Sequence, residues 1–172
     1  MSKTQTFQRP FLLGIEGGGT RTTALLADAR GREIQRAIFG PGNVRLLDDR
    51  ALRRLLRQIS KHFESPDAIG LGLAGARHPK DRARVQAEVA KVWKATPCRV
   101  THDLEIALAG NGSQKTAVLV LSGTGSCCFG KTSDGRTAKM GGWGHIVGDK
   151  GSGFEIGLRA LKAVVFYFDR DG

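Results

Sequence analysis

Apolar residues recur along this chain with two different periods, and the order in which the periods change predicts a sheet-first α/β fold. Phe11–Ile15 is a short apolar run and Thr22–Ala27 is β-branched or aliphatic, so the glycine-rich stretch between them reads as a turn joining two strands. A third strand is expected over Glu33–Phe39, after a turn at Asp28, Arg30 and Gly31. From Leu46 to Phe63 the period lengthens: Leu47, Leu52, Leu55, Leu56 and Ile59 fall on one helical face and arginines fill the other. Ala68–Ala74 alternates glycine with aliphatic residues, as a buried strand does, and Pro79 suits the first turn of a helix running to about Lys94. Pro97 interrupts the chain. A strand at Cys98–His102 follows, with Asp103 at its end and a helix over Leu104–Ala109.

The order β-β-β-α-β-α-β-α argues for a mixed sheet covered by helices, unlike the uniform β-α alternation of a dinucleotide-binding domain. Asn111–Lys115 reads as a polar joint, which sets an N-terminal lobe at residues 1–112 apart from a second, β-rich segment at 113–172. That segment holds expected strands at Ala117–Leu121, Ser126–Gly130 and Thr137–Met140, the last two around a turn at Ser133, Asp134 and Gly135. Ser152–Phe168 completes it as a helix.

Composition narrows the function classes. The hydrophobic content of 40% in 172 residues is enough for one real core, which excludes a disordered tail. A formal charge of +11 raises nucleic acid as a partner, yet Arg50, Arg53, Arg54 and Arg57 lie along one amphipathic helix and no nucleic-acid-binding signature accompanies them. A solvated basic surface is expected, with no nucleic-acid partner. Cys98, Cys127 and Cys128 have no metal-ligand spacing, and adjacent residues of a strand point to opposite faces, so buried reduced thiols are expected. Met1–Pro10 is polar and precedes only a short apolar stretch; neither a signal peptide nor a membrane partner is expected, and the location read from this is cytoplasmic.

The 24 glycines change the picture most, because they cluster. Two strand-turn-strand units carry GGGT at Gly17–Thr20 and GTGS at Gly123–Ser126. Glycine lets backbone amides approach a phosphate without a Cβ in the way, and a neighbouring hydroxyl adds a donor. Neither turn fits a Walker loop or a G-x-G-x-x-G turn entering a helix. One such turn alone is as well read as a structural tight turn; the pair points to a polyphosphate ligand.

GIEGGGTRT at Gly14–Thr22, the pair His102 and Asp103, LSGTGS at Leu121–Ser126 and GGWGHIVGDKGSGFEIG at Gly141–Gly157 resemble N-acetylglucosamine kinases and the wider BadF/BadG/BcrA/BcrD ATPase family. The resemblance spans roughly Phe11 to Phe168. It implies a ribonuclease-H-like, actin-like ATPase lobe, the beginning of a second similar lobe, and lobes that close around ATP, Mg2+ and an amino sugar. Gly17, Gly18, Gly19 and Thr20 would form the first phosphate loop, with Arg21 adding charge or standing as a surface arginine. Gly123, Thr124, Gly125 and Ser126 would form the second. Glu16 stands where many superfamily members carry Asp and would contact the metal through water; its plainer role is a strand-end carboxylate.

A sugar kinase needs a carboxylate to take the proton of the attacking hydroxyl, and Asp103 matches the family's catalytic aspartate, with a helix N-cap as the competing role. Asn43, Asp103 and Asp149 match sugar contacts. Trp143, near His145, would floor the pocket or simply pack. Lys150 replaces the family's usual Glu, and Ala74 replaces a serine found in some N-acetylglucosamine kinases, so the sugar is less well specified than phosphoryl transfer. N-acetylglucosamine is the first expectation, with glucosamine or N-acetylmuramic acid beside it and a homodimer as a further option. Two other functions share these motifs: an ATPase activator of a radical dehydratase, whose cluster-holding cysteine arrangement Cys98, Cys127 and Cys128 do not resemble, and a non-catalytic sugar-sensing module. Family members are about twice this length, so the polypeptide is expected to be an incomplete enzyme with weak or absent turnover.

Overall fold

The computed structural model describes residues 7–110 and 116–172, so the joint expected at Asn111–Lys115 lies outside the described residues. Contacts divide the chain into two compact units, Met1–Ala107 and Leu108–Gly172.

The first unit is built on a five-stranded mixed sheet. Its strands are β1 (Leu12–Gly17), β2 (Thr22–Ala27), β3 (Glu33–Phe39), β4 (Ala68–Leu73) and β5 (Cys98–His102), in the order β3-β2-β1-β4-β5. β1 and β2 form a hairpin, β2 and β3 another, while β4 pairs parallel to β1 and β5 parallel to β4. β1 runs past Ile15 because Glu16 and Gly17 keep their partners on both sides, Thr23 and Thr22 in β2 and Gly72 and Leu73 in β4.

Alternation splits this sheet cleanly. Leu13, Ile15, Ala24, Leu26, Leu71 and Leu73 are buried with Leu52, Leu55, Leu56 and Ile59 of α1 (Asp49–His62) and Val85 and Val89 of α2 (Pro79–Val92). The helical run expected from Leu46 in fact starts at Asp49, because the Asp48 carboxylate accepts the Ala51 amide at 2.7 Å and caps the helix there. Leu46 is left 72% exposed. The strand expected to reach Ala74 ends at Leu73, and the helix expected to reach Lys94 ends at Val92, with the Trp93 amide bonded back to Val89.

Buried acids in this unit are paired. The Glu88 carboxylate, with 3% of its side chain exposed, bonds Arg53 and Lys91, and these partners lower its carboxyl to about 2. Burial alone would raise Asp28, but the amides of Arg30 and Arg32 and the Arg32 guanidinium outweigh it and hold that carboxyl below its ordinary value. Arg50, Arg54, Arg57 and Lys61 stay exposed on α1, lining a shallow groove with Arg53 and Gln58.

In the second unit, β6 (Ala117–Ser122), β7 (Ser126–Lys131) and β8 (Thr137–Gly141) make an antiparallel meander in the order β6-β7-β8. α4 (Gly153–Asp171) follows, with Ser152 as its cap and three residues more than the expected end at Phe168. The three cysteines are thiols, half-buried rather than buried, because β5 and β7 are each covered incompletely. Among the described residues no helix is long and apolar enough to cross a membrane.

Candidate functional site

The carboxyl ends of the three parallel strands β1, β4 and β5 lie side by side, and their register fixes what meets there. Glu16 pairs with Gly72 and Gly72 with Thr101; one row further on, Gly17 pairs with Leu73 and Leu73 with His102. Asp103 follows immediately as the first residue of α3 (Asp103–Ala109). Glu16 thus stands level with Thr101, two strand spacings away across Gly72, and Asp103 follows two residues further on. Nothing projects between Glu16 and Thr101 from β4, because Gly72 has no side chain. A Cβ at residue 72 would overlap the Ile106 side chain, so α3 sits directly on that glycine and covers this end of the sheet face opposite α1 and α2.

Burial raises the Glu16 carboxyl above its ordinary value, the Asp103 charge adds to the rise and Arg21 opposes it. Two carboxylates in mutual repulsion beside an arginine suit a small dication, and Mg2+ needs only one or two protein carboxylates when phosphate and water supply the rest. Among the described residues no group of three or more His, Cys, Asp or Glu gathers to hold a metal, so a fully protein-ligated cage is not on offer.

The first glycine turn begins where Glu16 ends. The Gly18 amide bonds the Arg21 carbonyl at 2.8 Å and closes it, leaving Gly19 and Thr20 exposed at its tip. Its base is braced from behind: the Gly42 amide bonds Gly18 O at 2.9 Å, and the Ala74 amide bonds Gly17 O at 2.7 Å. A Cβ on Gly17 would stand 2.7 Å from a Leu73 methyl, and one on Gly42 would stand 2.8 Å from Gly17 Cα, so neither site has room for a side chain. Asn43 is tied to the same brace. Its Oδ1 accepts the Arg45 amide at 3.0 Å and Val44 N–H bonds Ala74 O at 3.0 Å, while the Asn43 NH2 group makes no hydrogen bond among the described residues. Ala74 therefore contributes backbone, whatever its side chain lacks.

The second turn is held by the segment that precedes α4. Ser122 Oγ donates to Gly151 O at 2.8 Å, Ser126 Oγ donates to Lys150 O at 2.7 Å, and the Gly153 amide bonds Gly123 O at 2.8 Å. The Ser126 hydroxyl proton is thus committed to backbone, and the Gly123 amide bonds Gly125 O at 2.9 Å, so Thr124 and Gly125 are the residues left to offer amides. Asp149 adopts a left-handed conformation with φ 55°, and its Oδ2 would lie 2.7 Å from a Cβ on Gly125. The Asp149 carboxylate accordingly faces this turn, with its Oδ1 buried and without a hydrogen bond among the described residues. Trp143 is 78% exposed, so packing does not use its indole, while His145 stacks on Phe154 with ring centroids 4.7 Å apart.

Structure thus gathers Glu16, Gly17–Arg21, Asn43 and Asp103 in the first unit, and Gly123–Ser126 and Asp149 in the second. Sequence reading missed His102, whose Nδ1 accepts the Glu105 amide, as a cap, and Gly42 and Gly72 as close-approach sites. Their signal, a glycine flanked by apolar residues or following proline, is too common to single them out.

Comparison with known proteins agrees with the fold and the motifs. The sequence profile of the BadF/BadG/BcrA/BcrD ATPase family matches residues 13–169. An N-acetylmuramic acid/N-acetylglucosamine kinase of Clostridium acetobutylicum is 34% identical over 94% of this chain and 56% of its own length. An N-acetyl-D-glucosamine kinase of Dictyostelium discoideum is 26% identical over 95% of this chain and 57% of its own. Among solved structures, a candidate N-acetylglucosamine kinase from Porphyromonas gingivalis superposes with a TM-score of 0.76 at 23% identity, over 90% of this chain and 56% of that one. The chain spans about half the length of the curated relatives it matches.

Proposed function

This chain belongs to the BadF/BadG/BcrA/BcrD ATPase family, and from that premise and the geometry above we propose that it is the ATP- and sugar-handling part of an amino-sugar kinase. The observation that carries the reading is the pair Glu16 and Asp103 at the carboxyl end of the parallel strands, close enough for the Asp103 charge to act on Glu16, with a braced glycine turn beginning right after Glu16. Bound ATP would supply the phosphoryl group, with Mg2+ offsetting its charge. In the first unit the amides of Gly19, Thr20 and Arg21 are candidate phosphate donors and Glu16 would hold the metal through water; in the second unit, taken by itself, the amides of Thr124 and Gly125 are the candidates. Asp103 accepts the proton of the attacking sugar hydroxyl; α3 is capped by His102, so its carboxylate is not consumed as an N-cap. The Asn43 NH2 suits an acetamido or hydroxyl oxygen of an amino sugar; N-acetylglucosamine is the first candidate, with glucosamine or N-acetylmuramic acid beside it.

Calorimetry with these three sugars, with and without Mg-ATP, followed by a sugar-phosphate assay, tests the reading. One sugar is expected to bind more tightly in the presence of Mg-ATP, and Asp103→Asn to lower turnover by at least about 100-fold while ATP binding persists. Undiminished turnover in Asp103→Asn removes that residue from the mechanism. With the full-length parent used for the turnover assays, sugar binding with no phosphate transfer assigns a sensing role instead, and absence of binding by all three sugars rejects the substrate class.

A further inference from the structure

The turn from β5 into α3 is closed by a histidine. α3 starts at Asp103, so His102 stands at the N-cap, and its Nδ1 accepts the Glu105 amide at 3.3 Å. Caps are ordinarily hydroxyl, amide or carboxylate oxygens. An imidazole can replace them only while Nδ1 carries no proton, which in the neutral ring puts the proton on Nε2. On the other side of the ring, Nε2 stands 3.9 Å from Glu105 Oε2, and the same carboxylate oxygen accepts the Thr101 hydroxyl. The Glu105 amide thus holds the ring at Nδ1 while its carboxylate lies beyond hydrogen-bond distance of Nε2, and only 14% of the His102 side chain reaches solvent.

The surroundings favour the form that caps. Burial holds His102 below the ordinary imidazole range, with Arg77 and Arg82 acting in the same direction, against the opposing charges of Glu105 and Asp103. Asp103, the adjacent residue, makes no hydrogen bond through its carboxylate among the described residues. Its direction is therefore set by how the helix starts, and two contacts determine that start: the imidazole cap and the seat of Ile106 on Gly72.

We infer that His102 is the positioning residue for Asp103: as a neutral imidazole it caps α3 and so aims the carboxylate that follows it. The inference rests on the reading of Asp103 as the base. The cap itself is read without turnover, from the ring nitrogen shifts of His102 and the exchange of the Glu105 amide at neutral pH. An unprotonated Nδ1 and a protected Glu105 amide are expected; His102→Asn, whose side-chain oxygen is a good cap, keeps the protection and His102→Ala loses it. Equal protection in His102→Ala and the parent overturns the inference.

Turnover reads the positioning. His102→Ala should lower kcat by about 10-fold or more with the KM for ATP unchanged, and His102→Asn should recover most of the loss. A KM for ATP that rises in step with the fall in kcat, or no recovery in His102→Asn, overturns the inference. Undiminished turnover in Asp103→Asn instead refutes the base, and the amide and ring measurements still decide whether the cap exists.

Discussion

Glu16 combines the costs and uses of the site in one side chain. Its carboxyl is raised above the ordinary 4.5 by burial first and by Asp103 second. The unfolded chain therefore releases this proton at lower pH than the folded one, so the stability Glu16 allows is fully present below 4.5 and is lost as pH rises through the folded value. Glu16→Gln should raise Tm by a few degrees near neutral pH, a gain that disappears in melts at about pH 4. An unchanged Tm near neutral pH would show that neither burial nor the Asp103 charge penalises the Glu16 carboxylate. At this scale the sequence was informative where chemistry and position coincide: a carboxylate at a strand end, a hydroxyl beside glycines. It offered Asp149 as a sugar contact but was silent on where its carboxylate points: it faces the second glycine turn because residue 149 takes a left-handed backbone that nothing in the residue pattern announces. It was equally silent on the His102 cap, since histidine has no distinctive capping preference.

Elements were legible because the apolar period switches so plainly between strand and helix. What local pattern cannot supply is order: β1 and β4 have no sequence mark that makes them neighbours, and β1 becomes the centre of the sheet only through tertiary pairing. Ends moved for equally local reasons, as where Asp48 rather than Leu46 begins α1. Gly72 shows how one element seats another. Gly72→Ala drives a methyl into Ile106, so α3 must lift from β4 and take Asp103 with it. Overpacking of this kind costs about 1–3 kcal/mol, read as a lower denaturant midpoint at unchanged slope. Turnover should fall with it. A variant as stable as the parent would mean that α3 shifts freely on the sheet.

For the molecule taken whole, the family match and the fold were readable from motifs, whereas surface character was not. Every residue of α4 past its first turn is exposed, including Leu161, Val165, Phe166 and Phe168, and β6 and β8 expose Val118, Val120 and Met140. A helix with apolar residues on all sides is ordinarily a buried one, and an exposed apolar surface of this extent favours association. The purified chain should therefore bind hydrophobic dyes and self-associate with rising concentration in sedimentation experiments, despite its charge of +11. Val165→Glu together with Phe168→Glu should reduce both, and a dye-silent monomer at every concentration would contradict this.

β1 has neighbours of very different reach along the chain: β2 arrives through a four-residue hairpin turn, β4 only after α1 has been laid down. Closing a long loop before any contact rewards it is slow, so the refolding chain should complete its meander first and zip the parallel half afterwards. Pulse-labelled refolding should show amide protection in β2 ahead of β4 and β5, and simultaneous protection across the sheet would rule out that sequence of events. On this order of events the carboxylate pair is among the last features to form, because Glu16 belongs to the early half and Asp103 waits for the final strand.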